Sequence, residues 1–191
     1  MKKVGLFFGS FNPIHIGHMI IANHVANHSN LKEIWFVVSP HNPLKKKSSL
    51  LADHHRLALV RSAVEDDPRF KASDIEFSLD QPSYTSVTLA YLKEKHPHVE
   101  FSLIMGGDNL ASFDKWRNYE SILANYPIVL YSRPGFNADK LIEMGKITVV
   151  DAPQMNISSS HIRNEIADGN SVKYLMPLPA WQYLDEMNFY R

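Results

Sequence analysis

The sequence has no cysteine, no excess of charge of either sign and no long hydrophobic run. The absence of cysteine excludes disulfides, thiolate nucleophiles and cysteine-based zinc sites. Basic and acidic side chains number 20 each, so no net positive field attracts nucleic acid, and we expect no nucleic-acid partner. The apolar patch after Lys3 is too short for a signal-peptide core or a membrane span. We therefore expect a cytoplasmic protein without a membrane partner.

Length and composition predict a single domain spanning residues 1–191. A chain of this length buries about 70% of the surface that its unfolded form exposes. Hydrophobic residues make up 45% of the chain and charged residues 21%, a balance typical of globular proteins with one core. No internal repeat, low-complexity tract or linker divides the chain.

Apolar strands alternate with helical patterns along the chain. Runs rich in β-branched and aromatic residues predict strands at 4–8, 33–38, 70–78, 99–106, 127–132 and 146–151. Helices are predicted between them, at 14–28, 53–67, 83–96 and 137–144, in short pieces over 109–126, and at 158–169. This alternation predicts an α/β fold, a Rossmann-like doubly wound parallel sheet with helices on both faces, ending in a C-terminal helical appendage over 174–191.

Turn and capping residues predict where three of the helices begin or end. Asp53 is the expected N-cap of the second helix, and Ser83 or Thr85 that of the third. Gly169 is expected just after the end of the helix that starts near residue 158.

The loop after the first strand reads G-S-F-N-P-I-H-I-G-H over residues 9–18. Ligands of open parallel sheets bind beyond the carboxyl ends of the strands, and the N-terminus of a helix attracts phosphate, so the loop is a phosphate site by position. It matches neither the dinucleotide fingerprint nor the Walker loop. Gly9 allows a close backbone approach, and His15 and His18 lie one helical turn apart. An alternative for His15 is that it only caps the helix.

This loop resembles the G-x-F-x-P-x-H-x-G-H signature of the nucleotidyltransferase superfamily. With the remaining motifs, the chain is similar to the bacterial nicotinate-nucleotide adenylyltransferases. The matching segments are PLK ending at Lys45, HR at 55–56, PSYT at 82–85, GGDNLASFDKW at 106–116, SRPGF at 132–136 and ISSSHIR at 157–163. The sequence differs from the family pattern at Asn12, Gln81, Val87 and Ser160, and the missing acid at Val87 leaves details of the acceptor site open.

The resemblance implies an α/β fold of nucleotidyltransferase type and transfer of the adenylyl group of ATP to nicotinate mononucleotide. The products would be nicotinate adenine dinucleotide and pyrophosphate, in NAD biosynthesis. The acceptor's phosphate is already an anionic nucleophile, so catalysis needs positioning and charge stabilisation and no general base. Mg²⁺ would enter through the ATP phosphates, and no protein metal ligands are expected. A homo-oligomer is possible at this size.

The resemblance also implies a set of site residues. The expected catalytic residues are His15, His18, Lys45 and Arg163. The expected ATP-binding residues are Gly9, Ser10, Phe11, His15, His18, Gly106, Asp108, Arg133, Ser159, Ser160 and Arg163. The expected acceptor-binding residues are Asn12, Lys45, Tyr84, Thr85 and Trp116.

Each of these roles has a structural alternative. Without the resemblance, Asp108 reads as a helix N-cap, Trp116 as a core residue, and Arg163 as a surface side chain behind an ordinary cap. The pair His55–Arg56 could equally be a surface pair in the first turn of a helix, so we leave it off the site.

Other functions remain open at this point. An acceptor preference for nicotinamide mononucleotide would keep the same chemistry, and the sequence does not exclude dual use. Pantetheine-phosphate adenylyltransferases and cytidylyltransferases share the signature, but PSYT and Trp116 argue against both. A non-catalytic nucleotide sensor on the same fold would be expected to lose part of the set His15, His18, Lys45 and Arg163.

Overall fold

The computed structural model describes residues 1–40, 50–110, 112–131 and 146–191, with the backbone alone at Asp108 and Leu110. Lys45, Arg133 and the helix predicted over 137–144 lie outside the described residues. Among the helices that are described, none is long and apolar enough to cross a membrane.

Six parallel strands form one sheet in the described part of the chain. They are β1 (Lys2–Gly9), β2 (Glu33–Val38), β3 (Phe70–Ser73), β4 (Val99–Gly106), β5 (Ile128–Tyr131) and β6 (Ile147–Val150), in the order β3-β2-β1-β4-β5-β6. This order confirms the predicted doubly wound sheet. The strand order reverses between β1 and β4, so the ligand crevice of such a sheet lies beyond the carboxyl ends of these two strands.

The described helices are α1 (Ile16–His28), α2 (Asp53–Val64), α3 (Thr85–Lys95), α4 (Gly107–Leu110), α5 (Tyr119–Asn125), α6 (Ser159–Ala167) and α7 (Leu178–Glu186). Short 3₁₀ helices occupy Ile75–Ser78, Phe113–Lys115 and Lys173–Leu175. Gly169 follows the end of α6 with φ of 79°, as expected for a glycine in this position.

Alternate residues of the strands enter two apolar cores on opposite faces of the sheet. On β1, Phe7 packs with one core and Leu6 with the other. The core around Phe7 is completed by side chains of α1, α2, α6 and α7, and the core around Leu6 by side chains of α3 and α5. Side chains alternate between the faces of a strand, so these nearly continuous apolar strands supply both cores.

Three local predictions are wrong in detail. The strand predicted over 70–78 ends at Ser73, because the chain turns into a 3₁₀ helix in which the Phe77 N–H donates to the Asp74 carbonyl at 2.8 Å. Asp53 is the first residue of α2 and not its N-cap, since the first N–H groups of the helix donate to the carbonyl of Ala52, which is the N-cap. The N-cap of α3 is Tyr84, and no side-chain cap is formed there.

The C-terminal segment is helical, as predicted, and it packs into the core around Phe7. Leu184 of α7 is buried there, and His55 Nδ1 of α2 lies 2.9 Å from the Tyr183 hydroxyl of α7. The Tyr190 hydroxyl donates to Asn12 Oδ1 at 2.6 Å. The end of the chain therefore braces the loop that follows β1.

Acid is expected to remove stability that Glu33 supplies at the start of β2. Burial by itself raises the pKa of Glu33, but hydrogen bonds from Lys2, Trp35 and Lys71 outweigh it and lower the pKa from 4.5 to about 2. Because the pKa is lower in the folded chain, this stabilisation is complete above about pH 4.5 and is lost as the pH falls towards 2. Urea denaturation of the wild type and Glu33→Gln tests this: the difference in unfolding free energy shrinks across that window, whereas a constant difference contradicts it.

Candidate active site

The loop after β1 is built around a buried phenylalanine. Phe11 has φ of 44°, which is uncommon for a residue with a side chain, and is only 2% exposed. Its ring packs against Phe7, Phe36 and His18 at centroid distances of 5.1 to 5.9 Å. A Cβ on Gly9 would lie 2.8 Å from the Phe11 ring. Gly9 therefore leaves room for the Phe11 ring, independently of any role in letting a ligand approach the backbone.

His15 and His18 lie stacked at the start of α1. His15 occupies the N-cap position, and the two ring centroids are 3.7 Å apart. The His15 backbone N–H donates to His18 Nδ1 at 3.2 Å, so in the neutral imidazole of His18 the proton is on Nε2. A Cβ on Gly17 would lie 3.0 Å from His15 Nδ1, so this glycine leaves room for the imidazole. The pair thus orients one imidazole N–H donor at a helix N-terminus.

The N-terminus of α6 is tied to the same loop. Ser158 is the N-cap, and its hydroxyl accepts from the His161 N–H at 3.1 Å. The Ser159 hydroxyl donates to the Pro13 carbonyl at 2.9 Å. Arg163 donates to the Asn12 carbonyl at 2.8 Å and to Ser160 Oγ at 3.2 Å. The first turns of α1 and α6 are therefore both tied to the loop after β1.

These elements enclose a cavity of about 680 Å³, which we term the histidine cavity. Two helix N-termini and an arginine make it suitable for a polyanion. Of the residues predicted to bind ATP, it brings together Gly9, Ser10, Phe11, His15, His18, Ser159, Ser160 and Arg163. Asn109 and residues 152–157 also line it, and they were not predicted from the sequence.

A second cavity of about 400 Å³ lies next to the first, and we term it the tryptophan cavity. It brings together Tyr84, Thr85 and Trp116, which were predicted to bind the acceptor. Trp116 is half-buried and packs on one side against Phe113, at a centroid distance of 5.4 Å. The two cavities share Phe8, Gly9, Ser10 and Asn109 as a common wall. Two ligands bound in them would meet at the carboxyl end of β1.

Asn12 lies in the wall of the histidine cavity, and its part in acceptor binding stays a prediction. The residue is 3% exposed. Its side-chain oxygen accepts from the Leu51 N–H at 3.1 Å and from the Tyr190 hydroxyl at 2.6 Å. These two contacts brace the loop after β1.

Four other predicted residues are not brought into either cavity by the described part of the chain. Gly106 ends β4 and is not among the lining residues of the two cavities. Asp108 lies in α4 directly after β4, with its side chain outside the description. Lys45 and Arg133 lie outside the described residues. Their roles stay predictions.

Arg56 was left off the site because it could equally be a surface residue, and this surface alternative is wrong. Its side chain is 0% exposed. The guanidinium donates to the carbonyls of Leu51, Ser10, Ser39 and Pro40 at 2.6 to 3.2 Å, and to Asp53 Oδ1 at 2.5 Å. It thus joins the loop after β1, the end of β2 and the start of α2. A signal was present in the sequence, since Arg56 is spaced i, i+4 from Val60 on the apolar face of α2.

Two cations line the tryptophan cavity. Lys115 and Arg117 contribute to its wall, and the Arg117 guanidinium carbon lies 4.9 Å from the centroid of the Tyr84 ring. Both side chains are exposed. Among the described residues there is no group of three or more histidines and carboxylates that could hold a metal ion. Within the described residues, the ionisable groups in the wall of this cavity thus include the two cations and one buried carboxyl group, Glu76.

Comparison with known proteins identifies the family to which the chain belongs. A family model described as cytidylyltransferase-like matches residues 6–165. A relative from Christiangramia forsetii is 55% identical over 192 residues, covering 100% of this chain and 99% of the relative. One from Flavobacterium johnsoniae is 54% identical over 191 residues, covering 99% of each. Both carry the name "probable nicotinate-nucleotide adenylyltransferase".

The chain belongs to the nicotinate-nucleotide adenylyltransferase family. The resemblance inferred from seven short motifs is thereby confirmed over nearly the whole length. A solved nicotinic acid mononucleotide adenylyltransferase from Plasmodium falciparum, complexed with NaAD, has a TM-score of 0.84 to this chain. It is 22% identical, and 100% of this chain and 98% of that chain are covered. The structural likeness shows that this member of the nicotinate-nucleotide adenylyltransferase family and that chain share a fold.

Proposed function

We propose that the chain transfers the adenylyl group of ATP to nicotinate mononucleotide, releasing nicotinate adenine dinucleotide and pyrophosphate. One observation carries the proposal: a polyanion cavity and an aromatic cavity share a wall at the carboxyl end of β1. The names of the bacterial relatives support the same reaction. ATP would lie with its triphosphate in the histidine cavity, and the acceptor would lie with its pyridine ring in the tryptophan cavity.

The reaction needs little covalent participation by the protein. A phosphate oxygen of the acceptor attacks the α-phosphorus of ATP, a new P–O bond forms, and the bond to the β-phosphate breaks as pyrophosphate leaves. The attacking phosphate is already an anion, so no general base is required. The protein's contribution is to align the two phosphates across the shared wall and to stabilise the charge that develops on the phosphoryl oxygens.

His18 is suited to that charge stabilisation. Its Nδ1 accepts from the His15 backbone, which directs the Nε2 proton to a different partner. The position at the start of α1 adds the positive end of the helix dipole. Mg²⁺ would enter with ATP as part of the substrate, held by phosphates and waters.

The start of α3 is suited to an anionic acceptor. The hydrogen bonds within α3 begin with the N–H groups of Val87 and Thr88, which both donate to the Tyr84 carbonyl. The N–H groups of the residues before Val87 have no earlier turn of helix to donate to. The N–H groups of Thr85 and Ser86 would be available to the carboxylate of a nicotinate ring stacked on Trp116. This geometry favours the acid over the amide.

Dinucleotide formation by the purified chain with ATP and Mg²⁺ tests the function. Nicotinate mononucleotide and nicotinamide mononucleotide are compared as acceptors side by side. Preference for the acid supports the proposal. Preference for the amide would keep the reaction and refute the acceptor site, and no dinucleotide from either acceptor would favour a nucleotide sensor or another acceptor of the superfamily.

Replacing Trp116 by alanine is expected to raise the KM for the acceptor about tenfold, because stacking of a base on an aromatic ring contributes roughly 1–3 kcal/mol. The KM for ATP should stay within about twofold, since Trp116 does not line the histidine cavity. Steady-state kinetics with each substrate varied in turn measures both constants. Trp116→Phe is the matched control and should retain most of the affinity, whereas an equal rise in both KM values would contradict the role.

A further inference from the structure

Glu76 is a buried carboxyl group that the proposed reaction does not use. It lies in the 3₁₀ helix Ile75–Ser78, is 2% exposed, and lines the tryptophan cavity. Thr88 Oγ1 lies 2.7 Å from Glu76 Oε1, and the Ser39 side chain is a second hydrogen-bond partner. In the part of the chain that the structure describes, Oε2 is buried and has no hydrogen-bond partner. One oxygen of the Glu76 carboxyl group is therefore hydrogen-bonded and the other is not.

No cation compensates this carboxyl group within the described residues. Its hydrogen-bond partners are the hydroxyls of Thr88 and Ser39, and no Lys, Arg or His forms an ion pair with it there. Burying a carboxylate without a cation costs far more than burying its neutral form. Burial accordingly raises the pKa of Glu76, and the hydrogen bonds from Thr88 and Ser39 oppose the rise without cancelling it.

The hydrogen-bond geometry suits the neutral form. Thr88 has one hydroxyl proton and two acceptors nearby, Glu76 Oε1 at 2.7 Å and the Tyr84 carbonyl at 3.3 Å. If Glu76 keeps its proton, it donates to Thr88 Oγ1, and Thr88 donates to the Tyr84 carbonyl. This chain of hydrogen bonds ends at the N-cap of α3, where the acceptor's carboxylate would bind.

We propose that Glu76 is held as a neutral carboxyl group, and that its neutrality sets the preference of the tryptophan cavity for a pyridine carboxylate over the corresponding amide. The inference rests on the proposed function, because it assumes that the acceptor ring lies in this cavity. An ionised Glu76 would repel a carboxylate at the start of α3 and leave an uncharged amide nearly unaffected. A neutral Glu76 leaves the helix N-terminus, Lys115 and Arg117 unopposed.

Other titratable groups around Glu76 have to be separated from it in a test. Lys115, Arg117 and the Tyr84 phenol line the same cavity. In α3 the first charged side chain along the sequence is Lys93, and the titratable side chain before it is the phenol of Tyr91. From the end of β2, the contact is the uncharged Ser39. Glu76→Gln removes the titration of Glu76 and keeps every one of these groups.

The test combines infrared spectroscopy with calorimetric binding of the two mononucleotides, so it does not depend on turnover. We expect the difference spectrum between wild type and Glu76→Gln to contain the carbonyl band of a protonated carboxyl group at neutral pH. As the pH is raised and this band disappears, the acid-to-amide affinity ratio should fall about fivefold or more in the wild type and stay constant in Glu76→Gln. Glu94→Gln, an exposed change on α3, should behave as wild type.

A second variant keeps the test decisive if Glu76→Gln does not fold. Ser39→Ala removes a donor that stabilises the ionised form, so it should move the fall in the ratio to higher pH. The absence of a protonated-carboxyl band overturns the proposal. So does an acid-to-amide affinity ratio that stays constant while this band disappears, or an acid acceptor that does not bind. Binding with the expected pH dependence but no dinucleotide would refute the proposed function and leave this inference standing.

Discussion

Replacing His18 by alanine is expected to lower turnover by about 10²–10³-fold while ATP binding remains measurable. Removing one preorganised donor to a developing anion costs about 2.7–4 kcal/mol in the transition state. The loss should appear in kcat and in kcat/KM together, because the His18 Nε2 donor acts most strongly on charge that develops during the reaction. Rapid-quench measurement of adenylyl transfer, with ATP affinity measured separately by calorimetry, checks both parts.

The matched control for His18 lies on the same helix. His28, at the exposed end of α1, is outside the residues that line the histidine cavity, so His28→Ala should turn over like the wild type. His18 also packs against Phe11, at a centroid distance of 5.1 Å, so the melting temperature of His18→Ala has to be measured alongside. Normal turnover in a folded His18→Ala would refute the role of this histidine.

Replacing Arg56 by leucine is expected to lower the free energy of unfolding by about 3–5 kcal/mol. The guanidinium is 0% exposed and donates to four backbone carbonyls from three segments of the chain. Leucine cannot donate, so these buried carbonyls lose a partner, and each unpaired group costs about 1–3 kcal/mol before the chain relaxes. Urea denaturation, with the slope checked for two-state behaviour, measures the loss.

A neighbouring arginine separates this effect from loss of charge in general. Arg61 lies on the same helix and pairs with Asp74 at 3.3 Å, with both side chains more than half exposed. Exposed ion pairs contribute at most about 1 kcal/mol, so Arg61→Leu should cost far less than Arg56→Leu. Arg56→Lys should lie between them, since a lysine has three donors and no planar fork. Equal losses for Arg56→Leu and Arg61→Leu would contradict the proposed bracing of the loops.

Much of the fold was predictable because its signals are local. The strand over Glu33–Val38 and the one over Val99–Gly106 have the predicted bounds, since each is an apolar run buried on both faces. The 3₁₀ helix Ile75–Ser78 was missed because Ile75 and Phe77 alternate with polar residues as in a strand. That segment turns because Asp74 and Glu76 supply carbonyls to the N–H groups of Phe77 and Leu79.

The sequence by itself determined the family, the parallel α/β sheet, and the placement of most predicted site residues in the loop after β1 and at the starts of α1, α3 and α6. These depend on spacing along the chain, which a strand-loop-helix unit converts directly into neighbouring positions in space. Only the tertiary structure decided which polar side chains are buried against distant parts of the chain. From the sequence, Asn12 was predicted to bind a ligand, Arg56 could equally lie at the surface, and Glu76 was predicted to lie in a strand; all three are buried. Each of the three has a hydrogen-bond partner far away along the chain, at separations of 178, 46 and 12 positions, and only packing brings such partners together.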